Sequence, residues 1–307
     1  MALQFSFSGH ETFPLRVSWL KKAVEAVNDD SDIFRSDEAI AEFGVGKNMV
    51  RSIRHWGIAT GVLTDHPTVR YEYAVDDFGE YLFGKEGKDQ FCEDPATLWL
   101  LHWKLCCTPA HSTLWYYAFG HWRSNTLELG TLQPALKRWL EDQNAPVPSA
   151  ATLKRDFQCL INTYVPPRRS KNLEDSLGCP LSSLGLIQEK EGLHYLQERH
   201  QTKLPPEIFA YGVLAYWKRE APDRDSLSIE DTLNSNASPG RIFVLSEDRA
   251  FELINQVSRM ERPPFAYQDS AGVRQLVRVH KDVDEQTMLD QYYGKAARTQ
   301  YVMEVAL

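Results

Sequence analysis

Ser36-Asp37-Glu38-Ala39-Ile40-Ala41-Glu42-Phe43-Gly44-Val45-Gly46-Lys47-Asn48-Met49-Val50-Arg51-Ser52-Ile53-Arg54-His55-Trp56, completed by Val69-Arg70-Tyr71-Glu72-Tyr73-Ala74-Val75, decides how this chain is read. Ser36 stands as the N-cap of a short helix with acidic residues in its first turn. Phe43-Gly44-Val45-Gly46 supplies the tight glycine turn between two helices. The second helix gathers Met49, Val50, Ile53 and Trp56 on one face and leaves Lys47, Asn48, Arg51 and Arg54 to point outward. Gly57 to Leu63 closes it, and the alternation from Val69 to Val75 is that of a wing strand. The expected element is a winged helix-turn-helix over Ser36–Phe78. Its basic, amide-bearing outer face suits the major groove of double-stranded DNA.

Charge would not suggest that partner. The chain has 307 residues and a formal net charge of −8, with 43% hydrophobic and 25% charged residues. An acidic balance argues against nonspecific coating of DNA, yet two basic islands stand out. In the first, Lys47, Arg51, Arg54 and Arg70 face a single acidic residue, Asp65. In the second, Lys154, Arg155, Arg168, Arg169 and Lys171 face only Asp156. No apolar window is long enough for a membrane span, and Met1-Ala2-Leu3-Gln4-Phe5-Ser6 does not read as a signal peptide, so a cytoplasmic protein is expected. Five cysteines without CxxC spacing fit reduced thiols better than a disulfide frame or a zinc site.

The organisation expected along the chain is mainly α with small β wings: winged helix-turn-helix modules flanking a helical middle domain. The first unit is 1–88, the second 89–203, and the third 204–307. Between Trp99 and Trp122 the middle unit concentrates seven aromatic residues, including Trp103, Trp115, Tyr116, Tyr117 and Phe119. So few basic residues are interleaved that a buried core is a better reading than a base-stacking platform. In the third unit, helices over Pro206–Glu220, Ser228–Leu233 and Glu247–Met260 precede a β-like pair at Phe265–Tyr267 and Val273–His280. That is again a winged-helix order, its wing carrying Arg274, Arg278 and His280.

Two constellations could carry chemistry. Phe7-Ser8-Gly9-His10-Glu11-Thr12-Phe13-Pro14-Leu15-Arg16 offers a base or metal ligand (His10), a carboxylate (Glu11) and a phosphate anchor (Arg16). No second histidine follows at the spacing of a zinc helix, and helix capping by Glu11 and Thr12 accounts for the same residues. Asp156, Glu174 and Asp175, set among the cations of the second island, are what a nuclease holding Mg²⁺ or Mn²⁺ needs. A salt-bridge network around a basic loop accounts for them equally. Nucleotide-binding and serine-hydrolase motifs are missing: Gly44-Val45-Gly46-Lys47 lacks the spacing of a phosphate loop.

Three strings carry a resemblance: Phe7–Arg16; Leu153-Lys154-Arg155-Asp156 with Thr163-Tyr164-Val165; and Glu174-Asp175-Ser176-Leu177 with Cys179-Pro180-Leu181 and Leu184-Gly185-Leu186-Ile187. With Ser238-Pro239-Gly240-Arg241-Ile242-Phe243, they span nearly the whole chain. Together they resemble a bacterial family long known as a domain of unknown function, which is similar to the SspB-type components of Ssp DNA phosphorothioation, an antiphage defence system. The resemblance implies a DNA-nicking endonuclease working beside a cysteine desulfurase, an ATP pyrophosphatase and an ATPase that place sulfur on the DNA backbone. On that basis His10, Glu11 and Asp156 are assigned to chemistry. Arg16, Arg70, Lys154, Arg155, Arg168, Arg169, Lys171 and the Lys47–Arg54 face are assigned to DNA. A metal would rest on Asp156, Glu174 and Asp175. The competing expectation is a non-catalytic adaptor or transcription factor that recruits the sulfur enzymes.

Overall fold

Amphipathic segments dominate the chain, and the computed structural model folds it as a mainly helical protein with three small antiparallel sheets. It describes residues 4–66, 69, 72–166, 178–198 and 203–305, with side chains to Lys295. Two compact units result, Met1–Gln197 and Glu198–Leu307.

In the first unit, α1 (Val17–Asp29) buries Trp19, Leu20, Ala23, Val24 and Val27 and packs on α3 (Lys47–Ala59). Ahead of α3 lies α2 (Ala39–Phe43). Ser36 does not cap it: its Oγ accepts from the Glu38 amide in a local turn, and the helix starts beyond, with Glu38 as the flanking residue. Gly44 ends α2 in the left-handed region (φ 64°), the conformation the glycine turn requires and one that other residues adopt at a cost. In α3, Val50, Ile53 and Trp56 are buried, whereas Lys47, Asn48 and Arg51 are exposed and Arg54 is half-buried. Gly57 lies inside this helix rather than closing it.

A hairpin follows, β1 (Leu63–Asp65) against β2 (Tyr73–Val75), registered Leu63 to Val75 and Asp65 to Tyr73. Its ladder is shorter than the expected strand over 69–75, and Arg70 lies outside the described residues. The unit continues through α4 (Asp77–Phe83), α5 (Pro95–Cys107) and α6 (Pro109–Trp115), which runs into a π-helical turn at Tyr116–His121. Then come β3 (Thr126–Leu127), α7 (Leu129–Asp142), α8 (Ala150–Tyr164), a 3-10 turn at Pro180–Leu184, β4 (Ile187–Lys190) and β5 (Leu193–Leu196). Strand order in this sheet is β3-β5-β4.

The aromatic run is core. Trp99, Trp103, Trp115 and Phe119 are each at most 2% exposed, and the Tyr164 hydroxyl lies 2.7 Å from Nδ1 of fully buried His102. None of the five cysteines forms a disulfide, and burial pushes the Cys106, Cys159 and Cys179 thiols up, keeping them protonated and unreactive.

In the second unit, α9 (Pro206–Glu220) packs against α12 (Glu247–Ser258) and α13 (Glu285–Val305). Between α9 and α12 lie β6 (Ser226–Ser228), α10 (Ile229–Asn234) and α11 (Pro239–Ile242). The hairpin of β7 (Phe265–Ser270) and β8 (Val273–Arg278) adds to β6 in the order β6-β8-β7.

Candidate functional site

The string from residue 5 to 16 has little regular structure of its own, so its backbone groups must be satisfied by other elements. It becomes the hub of the first unit. The Ser6 amide donates to Thr113 Oγ1 of α6 (2.8 Å). The Ser8 amide donates to both oxygens of Asp156 on α8 (3.1 and 3.0 Å), and Ser8 Oγ donates to Oδ1 (3.3 Å). From α3, Ser52 Oγ donates to the His10 carbonyl (3.0 Å) and Trp56 Nε1 to the Phe13 carbonyl (2.9 Å). Leu15 is fully buried.

Those ties hold a backbone under strain. Ser8 (φ 67°), Glu11 (φ 48°) and Thr12 (φ 71°) all sit in the left-handed region. Each costs about 1–2 kcal/mol for a residue with a Cβ, so three within five positions persist only because the surroundings over-determine them. Such strain concentrates at functional sites.

His10 and Asp156, 2% exposed each, meet here. His10 Nδ1 accepts from the Thr12 amide (3.0 Å), which leaves the ring proton on Nε2. Nε2 lies 3.2 Å from Asp156 Oδ1 but off the line of a good hydrogen bond. Both imidazole nitrogens are thus turned to the protein, and the Asp156 oxygens are held by Ser8 and His10. The pair is placed to lock the string. Glu11 is the acidic group that the string presents at its rim, 3.4 Å from Arg51 and half-exposed.

Around His10 stand Trp115 and His55, with ring centroids 5.8 and 5.7 Å away. Burial, then the neighbouring His10, His111 and Arg54, pull the His55 pKa down to about 3, so the ring is uncharged at neutral pH. Gly9 lets the string pass that close: a Cβ there would lie 2.3 Å from His55 Nδ1. Gly9→Ala is therefore expected to destabilise the first unit by about 1–3 kcal/mol, read by thermal unfolding. An unchanged midpoint would mean that the string yields freely.

The remaining expected residues are spread out. Arg16 is the flanking residue of α1, half-buried, with its guanidinium 5.4 Å from the Trp19 ring centroid. Glu11 and Thr12 do not cap α1, which begins at Val17. Lys154 and Arg155 are exposed on α8. Arg168, Arg169, Lys171, Glu174 and Asp175 lie outside the described residues. In the second unit the basic side chains of the hairpin are engaged within the unit: exposed Arg274 pairs with Glu247 (3.2 Å), and the half-buried Arg278 guanidinium covers the Trp217 ring (5.0 Å). Its α12 exposes Glu247, Asp248 and Glu252, while Arg249 is buried against the Leu204 carbonyl.

The strained, tied string thus packs on α3, whose Lys47 and Arg51 face outward. The family described as "Protein of unknown function (DUF4007)" matches residues 7–293, and the chain belongs to it. Its fold is similar to that of SspB. Two SspB crystal structures, one of them magnesium ion-bound, each superimpose with a TM-score of 0.86 at 28% identity, covering 95% of this chain and 89% of theirs. No curated protein matches in sequence. Among the described residues no helix is long and apolar enough to cross a membrane.

A magnesium ion needs several oxygens free to point at it. Among the described residues no group of three His, Cys, Asp or Glu side chains is placed to hold a metal ion, and Asp156 is already engaged by Ser8 and His10. The described donors do not fit the ion.

Proposed function

We propose that this protein engages double-stranded DNA through a winged helix-turn-helix formed by α2, α3 and the β1–β2 hairpin, and nicks one strand within an Ssp-type phosphorothioation system. It acts there beside the cysteine desulfurase, ATP pyrophosphatase and ATPase. The observation that carries the proposal is the row Lys47, Asn48 and Arg51, exposed on a helix whose opposite face is buried, in a chain built as SspB is. Cations and an amide so displayed contact phosphates and base edges. Lys154 and Arg155 are a second phosphate-facing pair. The three-part division at 1–88, 89–203 and 204–307 belongs to the same proposal, with the last part a winged helix whose acidic α12 is unsuited to phosphate.

For the chemistry, His10 and Asp156 act as a positioning pair that fixes the string. Glu11 is the carboxylate available to orient or deprotonate an attacking water at a phosphate held by Arg51. Supercoiled plasmid tests this. Conversion to open circles is expected, with Glu11→Gln slowing it at least tenfold without weakening binding. Binding with no relaxation would leave the adaptor reading, and full activity of Glu11→Gln would remove that residue from the chemistry.

A further inference from the structure

The side of α3 next to its cationic row faces a cleft of about 510 Å³, large enough for a nucleotide. Its walls carry an unusual set: Arg54 and His55 from α3, Asp65 and His66 from the first strand and its end, Tyr73 from β2, and His111 from α6. Four flat rings line one cavity. Imidazole and phenol rings are the surfaces on which an unstacked base settles.

Charge narrows the ligand. His55 is uncharged at neutral pH, and burial also lowers the His111 pKa, so the imidazoles do not add up to an anion trap. Arg54 brings the positive charge, and Asp65 opposes a second phosphate while offering an acceptor to an exocyclic amine. Arg54 Nη1 lies 3.5 Å from the Tyr73 hydroxyl, which aims the guanidinium along the rim.

We infer that this cleft receives the base of a single nucleotide extruded from the DNA on α3, stacked among the imidazole rings with its flanking phosphate on Arg54, a step that rests on the DNA reading above. A protein that strands a base outside the helix must meet the free energy of unpairing and unstacking. A duplex with one pair already broken spares it that cost.

The experiment compares two 14-base-pair duplexes of the same sequence, one matched and one with a central mismatch, by fluorescence anisotropy at low salt. The wild-type protein should bind the mismatched duplex at least tenfold tighter. Ile58→Trp, which fills the cleft, and His111→Ala, which removes one ring, should each bring that ratio below twofold while matched-duplex affinity stays within twofold. Neither change touches Lys47 or Arg51, and His111→Ala decides the matter if Ile58→Trp does not fold. Equal wild-type affinity for the two duplexes overturns the inference and leaves DNA binding standing, as does a preference that survives the substitutions. No binding to either duplex overturns the DNA reading and this inference together.

Discussion

Asp156→Ala is expected to destabilise the first unit by about 3–5 kcal/mol, the cost of stripping one partner from a buried polar cluster. The change leaves the Ser8 amide and hydroxyl and His10 Nε2 without the carboxylate they converge on, 2% exposed and away from water. It also releases the tie that holds Ser8 at φ 67°. Thermal unfolding should show a midpoint roughly 10 °C lower. His10→Ala alone should cost less, because Ser8 keeps its acceptor. The double variant should fall short of the sum by about 1 kcal/mol or more, as groups sharing one network do. Strict additivity, or a shift under about 2 °C for Asp156→Ala, would mean that the string is held by something other than this pair. Loss of nicking in Asp156→Ala would then follow from the lost geometry, so its activity is compared with that of Glu11→Gln at a temperature where both are folded.

Lys47→Ala combined with Arg51→Ala should weaken binding to duplex DNA by about 10- to 100-fold near 50 mM salt and flatten the dependence of log affinity on log salt by about 1–2. Each phosphate contact contributes about 0.9 to that slope through released counterions. Stability should hardly change. Both side chains are exposed, and the Arg51–Glu11 contact is a solvent-facing pair of the kind that contributes at most about 1 kcal/mol. A titration indistinguishable from wild type would make the helix-turn-helix-hairpin a structural or protein-docking element.

How much of this was legible in the sequence depended on the range of the interaction. Helix α3 was readable because period 3.6 separates Val50, Ile53 and Trp56 from Lys47, Asn48 and Arg51 without reference to any other segment. Gly44 announced its turn for the same local reason. The aromatic run was readable as core from its shortage of interleaved cations. The string at residues 5–16 stood out in composition, yet its conformation was hidden: left-handed Ser8, Glu11 and Thr12 are imposed by partners on α3, α6 and α8. His10 and Asp156 were picked out separately as reactive groups. Their meeting, with Nδ1 accepting from Thr12 and Nε2 3.2 Å from Asp156, depends on a contact that no spacing rule reaches. His55 was read as one more residue of the helix, and only the fold sets it among His66, Tyr73 and His111. In the second unit, the partners of Arg274 and Arg278, Glu247 and Trp217, are distant in the chain and were equally out of reach of spacing rules.

The bond from Ser8 to Asp156 joins positions 148 residues apart, and that separation fixes an order of events during synthesis. At about 5–20 residues per second, roughly seven to thirty seconds separate the synthesis of Ser8 from that of its carboxylate partner. Through that interval Phe5 waits for Trp139 of α7, and Ser8 has no carboxylate to hold its left-handed turn. The segment translated early is therefore among the last to reach its final shape, and an early chaperone or a prematurely halted chain would meet it as an unanchored apolar strand.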